Sequence, residues 1–188
     1  MNILTEKLPD YVTINGEKYP VYTDFKIWIK FDTIFEHTGE INEKTLFDVL
    51  KLCYVPPKLP PTWECALNGL FAFYCGKQKG DGNDKASGNR IYSFEYDAEY
   101  IYAAFLAQYG IDLTVSDMHW YRFKSLLWGL TDNHKICEIM SVRALDLSSL
   151  KDKEQRRHYK KLKELYALPD MRSESEKEND FAEALSRL

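Results

Sequence analysis

The stretch from Tyr92 to Tyr109, YSFEYDAEYIYAAFLAQY, carries seven aromatic rings in eighteen residues and stops at Gly110. Between Tyr100 and Tyr109 every position except Gln108 is apolar or aromatic, so a helix here is greasy around almost its whole circumference. Such a helix is either central in its own domain or shares a face with another chain. The fold has to cover it, and the neighbouring sequence supplies the cover.

Downstream, Ser116 is a good N-cap for a helix carrying Met118, Trp120, Tyr121, Phe123, Leu126, Leu127, Trp128 and Leu130, again more than one apolar stripe. Thr131 or Asp132 is placed to cap the next helix, with Ile136, Ile139 and Met140 facing inward. Ser149 and Asp152 have capping-box spacing and open a last helix that aligns Tyr159, Leu162, Leu165 and Tyr166 and ends at Pro169.

Upstream, Asp10 to Tyr22 places β-favouring residues on both sides of Asn15-Gly16, the dipeptide that accepts positive φ in a two-residue turn, and predicts a short hairpin. In FKIWIKFDTIFEH, Phe25, Ile27, Ile29 and Phe31 alternate like a strand, whereas Phe25, Trp28, Ile29, Asp32 and Phe35 fit a helix. The acidic start at Asp24 and the continuation through Phe35 favour helix. Asn42 caps a segment with Leu46, Val49, Leu50 and Cys53 on one stripe, which must end before Pro56-Pro57. After the stiff linker VPPKLPP, a helix from Pro61 to Cys75 repeats Trp63, Leu67, Leu70, Phe71 and Tyr74, with Gly76 as terminator.

The expected architecture is mainly α: a bundle of six to seven helices with an N-terminal β-hairpin. It divides into an N-terminal segment, 1–23, a helical domain, 24–168, interrupted by a mobile loop at 77–90, and a charged tail, 169–188, disordered in part or helical. At 188 residues, 45% hydrophobic and 29% charged, the chain is long and apolar enough for one core. A net charge of −4 argues against a general polyanion binder, although the last helix has seven Lys or Arg against three acids between Lys151 and Glu164. Residues 170–188 reverse the sign, with six acids against three bases.

Catalytic chemistry finds little purchase. The loop KQKGDGNDKASGNR mixes glycine with Lys77, Lys79, Lys85 and Arg90 but lacks the spacing and preceding strand of a phosphate loop. Asp117, His119, Glu95 and Glu99 have no recognisable partner set, and neither a nucleophile elbow nor a zinc helix is present. His134 and Cys137 share a helical face, yet two ligands do not make a metal site. Cys53, Cys65, Cys75 and Cys137 show no CxxC pair and read as reduced, buried thiols. No leader or membrane span is expected. The reading is therefore of a non-enzymatic protein without metal or cofactor.

FYCGK (Phe73 to Lys77), YSFEYDAEYIYAAFLAQYGIDL (Tyr92 to Leu113), HWYRFKSLLWGL (His119 to Leu130) and the closing KKLKELYALP resemble the gene-product-fifteen family of tailed phages of Gram-positive bacteria. The resemblance covers approximately Phe25 to Pro169 and leaves the hairpin and the acidic tail outside it. It implies a small protein encoded just ahead of the tape-measure protein of a long non-contractile tail, and hence a tail assembly chaperone. The implied partners are the tape-measure protein, further copies of the chain, a longer frameshifted form and the major tail protein. The implied place is the host cytoplasm during assembly, with the protein absent from the mature virion. The alternatives are a subunit of the tail or its capsid junction, and a nucleic-acid or host-factor binder. Candidate contact residues, taken from the doubly apolar helices, are Tyr96, Tyr100, Tyr102, Tyr109, Trp120, Tyr121 and Trp128; each is equally placed to be core.

Overall fold

The computed structural model describes residues 2–37, 42–76 and 90–169. Strands β1 (Tyr11–Ile14) and β2 (Glu17–Pro20) form an antiparallel hairpin, followed by α1 (Phe25–His37), α2 (Glu43–Cys53), α3 (Trp63–Cys75), α4 (Ala98–Tyr109), α5 (Trp120–Trp128), α6 (Lys135–Ala144) and α7 (Lys153–Leu165). A mainly α chain with an N-terminal hairpin is what the periodicity predicts. Of the loop at 77–90 only Arg90 is described, and residues 170–188 of the tail lie outside the described residues.

The hairpin turns where Asn15 and Gly16 both take positive φ, 51° and 83°, which a two-residue turn between right-twisted strands requires. Val12 and Ile14 point into the core over Gly69 of α3, where an added Cβ would lie 3.0 Å from Ile14 Cδ1 and 3.3 Å from Val12 Cγ2. That close approach is why the third helix tolerates a glycine in its interior.

The α1 segment settles as a helix. Asp24 Oδ1 accepts the Lys26 amide at 2.9 Å, and the residues fully buried are Phe25, Trp28 and Phe31, at helical rather than alternating spacing. Asn42 caps α2 through the Thr45 amide. Thr62 rather than Pro61 stands at the start of α3, its hydroxyl accepting from the Cys65 amide, and Gly76 ends the helix in the left-handed region.

Three further starts differ from the sequence expectation. Helix α5 begins at Trp120 with His119 as its cap, not at Ser116. The reason is tertiary: Trp120 N–H donates to Thr23 C=O and Phe25 N–H to Met118 C=O, so residues 118–119 run extended beside Asp24. Helix α6 is capped at His134, because Thr131 is held by Gln108 through both its amide and its hydroxyl. Helix α7 is capped by Asp152, whereas Ser149 belongs to a short 3-10 turn whose own cap is Asp146.

The core is aromatic. Trp28 packs on Phe73 at 4.6 Å between ring centroids and on Phe31 at 5.4 Å. Phe123 lies between Phe25 at 4.8 Å and Phe105 at 5.1 Å, nearly parallel to both. Helices α1, α3, α4 and α5 thus meet through rings, each burial contributing on the order of 1.5–3 kcal/mol. Only Cys53 of the four thiols is fully buried; Cys65 and Cys137 are half-buried and Cys75 is exposed at the last turn of α3, so the expectation of four buried cysteines is corrected. All four are free.

Candidate partner-binding surface

The structure separates the seven candidate aromatics into three groups. Trp120 and Tyr121 are core: Trp120 stacks on Tyr74 at 5.1 Å and donates its indole N–H to the Tyr74 carbonyl at 2.9 Å, and Tyr121 stacks on Phe73 at 4.9 Å. Helix α5 turns the face bearing 120, 123 and 127 inward, and the adjacent Tyr121 fills the α3 side. Tyr102 and Tyr109 are half-buried. Tyr109 donates to the Leu126 carbonyl, and Asp112 is held below its usual carboxylate range first by Thr114 and further by Tyr102. Tyr96, Tyr100 and Trp128 are exposed.

On α4 the core side is Ile101, Ala104 and Phe105, while Tyr100, Ala103, Leu106 and Ala107 stay exposed. The circumferential apolarity of the sequence therefore resolves into one buried face and one uncovered face that, apart from Glu99, carries no charge. Trp128 stands at the end of α5, 58% exposed, with one edge against Tyr92 at 5.8 Å. Sequence reasoning missed two larger aromatic exposures, Phe47 at 66% and Trp63 at 61%. Phe47 carries a readable signal, since it falls off the Leu46, Val49, Leu50, Cys53 stripe. Trp63 does not, because it shares the helical spacing of Leu67 and Leu70, which are buried.

The surface is mounted on two polar clamps. Arg143 of α6 meets both carboxylate oxygens of Asp97, at 2.5 and 3.0 Å, and also donates to the carbonyls of Ile91 and Tyr166. Asp97 additionally accepts the Ser93 amide at 2.9 Å. One guanidinium thus fixes the entry of α4 to the exit of α7. Across the molecule, Arg90 reaches Asp32 and Glu36 of α1, and the Tyr74 hydroxyl donates to Asp32 at 2.5 Å. Burial, reinforced by Asp32, pushes the Tyr74 phenol far up, so it stays a donor.

Among the residues weighed for chemistry, His119, His134 and Cys137 each meet a partner within the fold. His119 Nδ1 accepts the Tyr121 amide at 3.1 Å and Nε2 faces the Pro9 carbonyl at 3.0 Å, an arrangement satisfied by the neutral ring protonated at Nε2. Burial lowers its pKa, against the opposing pull of Pro9 and Asp10. His134 pairs with Gln108, and the Cys137 thiol lies near the Leu130 carbonyl. Among the described residues no group of three or more His, Cys, Asp or Glu side chains is placed to hold a metal ion. A cavity of about 590 Å³ lies between the outer edge of β1 and α3, lined by Tyr11, Thr13, Cys65, Asn68 and Ala72 among others. Among the described residues no helix is long and apolar enough to cross a membrane.

This is a helical scaffold that leaves apolar side chains uncovered on several helices. Residues 4–168 match the family model described as Bacteriophage Gp15 protein, and the chain belongs to that family. The match extends N-terminally beyond Phe25 to take in the hairpin, and it stops one residue short of Pro169. No curated protein and no solved structure matches the chain.

Proposed function

We propose that the protein is a tail assembly chaperone, many copies of which coat the tape-measure protein of a long non-contractile tail until the tube polymerises around it. The observation that carries this reading is the exposure of large aromatic side chains on several helices of a chain whose core is already filled with rings: Phe47 on α2, Trp63 on α3 and Trp128 on α5. A tape-measure protein, very long and helical, presents apolar stripes that aggregate unless covered. Aromatic side chains cover such stripes with large contact area and few rotamers to immobilise. The coat acts in the host cytoplasm and is shed, so the protein is expected to be absent from purified virions; its presence there would favour a tail subunit instead.

The test is co-expression with the adjacent tape-measure protein. The soluble tape-measure fraction should rise and the two should co-purify, and Trp128→Ala should weaken the complex without altering the fold. If this chain alone has no effect, the same assay with a longer frameshifted form decides the matter. Failure of both forms to solubilise or bind the tape measure overturns the assignment.

A further inference from the structure

Charge is segregated along this chain. Residues 1–150 carry twenty acidic against fifteen basic side chains, whereas Lys151 to Glu164 carries seven basic against three acidic. The basic stretch is α7, which packs principally on α6 and the 3-10 turn before it and has no buried residue. On its outer side Lys153, Arg157, Lys161 and Leu165 recur every fourth residue as one exposed row. None of the three cations forms an ion pair among the described residues, and Leu165 is 70% exposed.

The uncovered face of α4 is a matching row. Glu99, Ala103 and Ala107 also recur every fourth residue, with Tyr100 beside the acidic end and Leu106 beside the other. Arg157 to Leu165 and Glu99 to Ala107 each span eight residue steps, about 12 Å at a rise of about 1.5 Å per residue. A parallel α7 laid on α4 therefore brings the Arg157 guanidinium to Glu99 and the Tyr100 ring while Leu165 meets Ala107 and Leu106. The methylene stem of Lys161 covers Ala103, and the two alanines allow the helices to approach closely. Within one subunit both rows are exposed, so α7 does not cover its own α4.

We propose that α7 of one copy docks in parallel on the outer face of α4 of a neighbouring copy. The contact joins two different faces, so each copy offers one of each and the assembly propagates head to tail into a ring or spiral. It uses none of Phe47, Trp63 and Trp128, which stand on α2, α3 and α5. The purpose of the contact rests on the coating role, but its existence is tested by self-association alone, so this contact and the chaperone assignment fail separately.

The experiment is sedimentation velocity at low and high salt on the full chain, on Arg157→Glu, on Glu99→Arg and on the double substitution, with circular dichroism to confirm folding. Wild type should form species larger than a dimer at low salt and shift to monomer at high salt. Each single reversal should shift the low-salt distribution to monomer, and the double reversal should restore assembly. A wild type that stays monomeric at low salt, assembly that survives both single reversals, or a double substitution that regains nothing overturns the contact. Retention on DNA or RNA that Arg157→Glu abolishes, with sedimentation unchanged, would make α7 a polyanion-binding arm and likewise overturn it.

Discussion

Replacing Arg143 with alanine should be among the most damaging single polar substitutions in the protein. The side chain of its partner Asp97 is only 3% exposed, and Arg143 itself is 10% exposed. Removing the guanidinium leaves a buried carboxylate with only the Ser93 amide as a remaining partner, and leaves the Ile91 and Tyr166 carbonyls without that donor. Breaking a buried pair from one side costs about 3–5 kcal/mol, because the charge left behind is uncompensated. A domain's total stability is about 5–15 kcal/mol, so a large share is at stake. At about 2–4 °C per kcal/mol for a chain of this size, the melting midpoint should fall by roughly 6–20 °C. Urea denaturation followed by tryptophan fluorescence reads the loss directly. Replacing both partners, as Arg143→Met with Asp97→Leu, removes the charge along with its neutraliser and should destabilise less than Arg143→Ala alone. If Arg143→Ala stays within about 1 kcal/mol of wild type, the pair behaves as an exposed one and the clamp is refuted.

Other substitutions separate core from surface. Trp120→Ala should cost about 3–5 kcal/mol as a large-to-small core change, whereas Trp128→Ala should stay within about 0.5 kcal/mol as an exposed change; urea midpoints compare the two. His119 is held neutral in the fold, so the folded state binds its proton less readily than the unfolded chain, whose reference is 6.5. The stabilisation is therefore complete above that value and lost as pH falls through the lower folded pKa. Denaturation midpoints on either side of pH 6.5 should show this acid loss in wild type, and His119→Gln should lack that component. Burial pushes the Cys53 thiol up to about 12, while Cys75 is exposed. A thiol-reactive dye should label Cys75 in the native protein and Cys53 only after unfolding; equally fast labelling of both would contradict the placement of Cys53 in the core.

Elements set by local chemistry were legible in the sequence. Asn15-Gly16 dictates the hairpin because few other dipeptides accept two positive φ angles, and Asn42 and Gly76 mark helix ends by the same kind of local demand. The starts of α5 and α6 were not legible. Ser116 and Thr131 have good capping chemistry, but tertiary partners, the Thr23 carbonyl and Gln108, claim the neighbouring backbone first. The candidate surface was half legible for a related reason. An all-round apolar helix announces that some face is uncovered, but which face depends on where α5 and α6 pack against α4. Hence Trp120 and Trp128, eight residues apart on similar apolar helix surface, end respectively in the centre of the core and in solvent. The clamp by Arg143 left no signature at all, since its acceptors are two carbonyls and a carboxylate scattered over the chain.

The coating role is tested most directly by counting copies. Complexes with tape-measure fragments of increasing length should be purified and their masses measured by light scattering. A coat predicts that the number of bound copies rises in proportion to fragment length. A fixed single copy at every length, or no complex with any fragment, would contradict it.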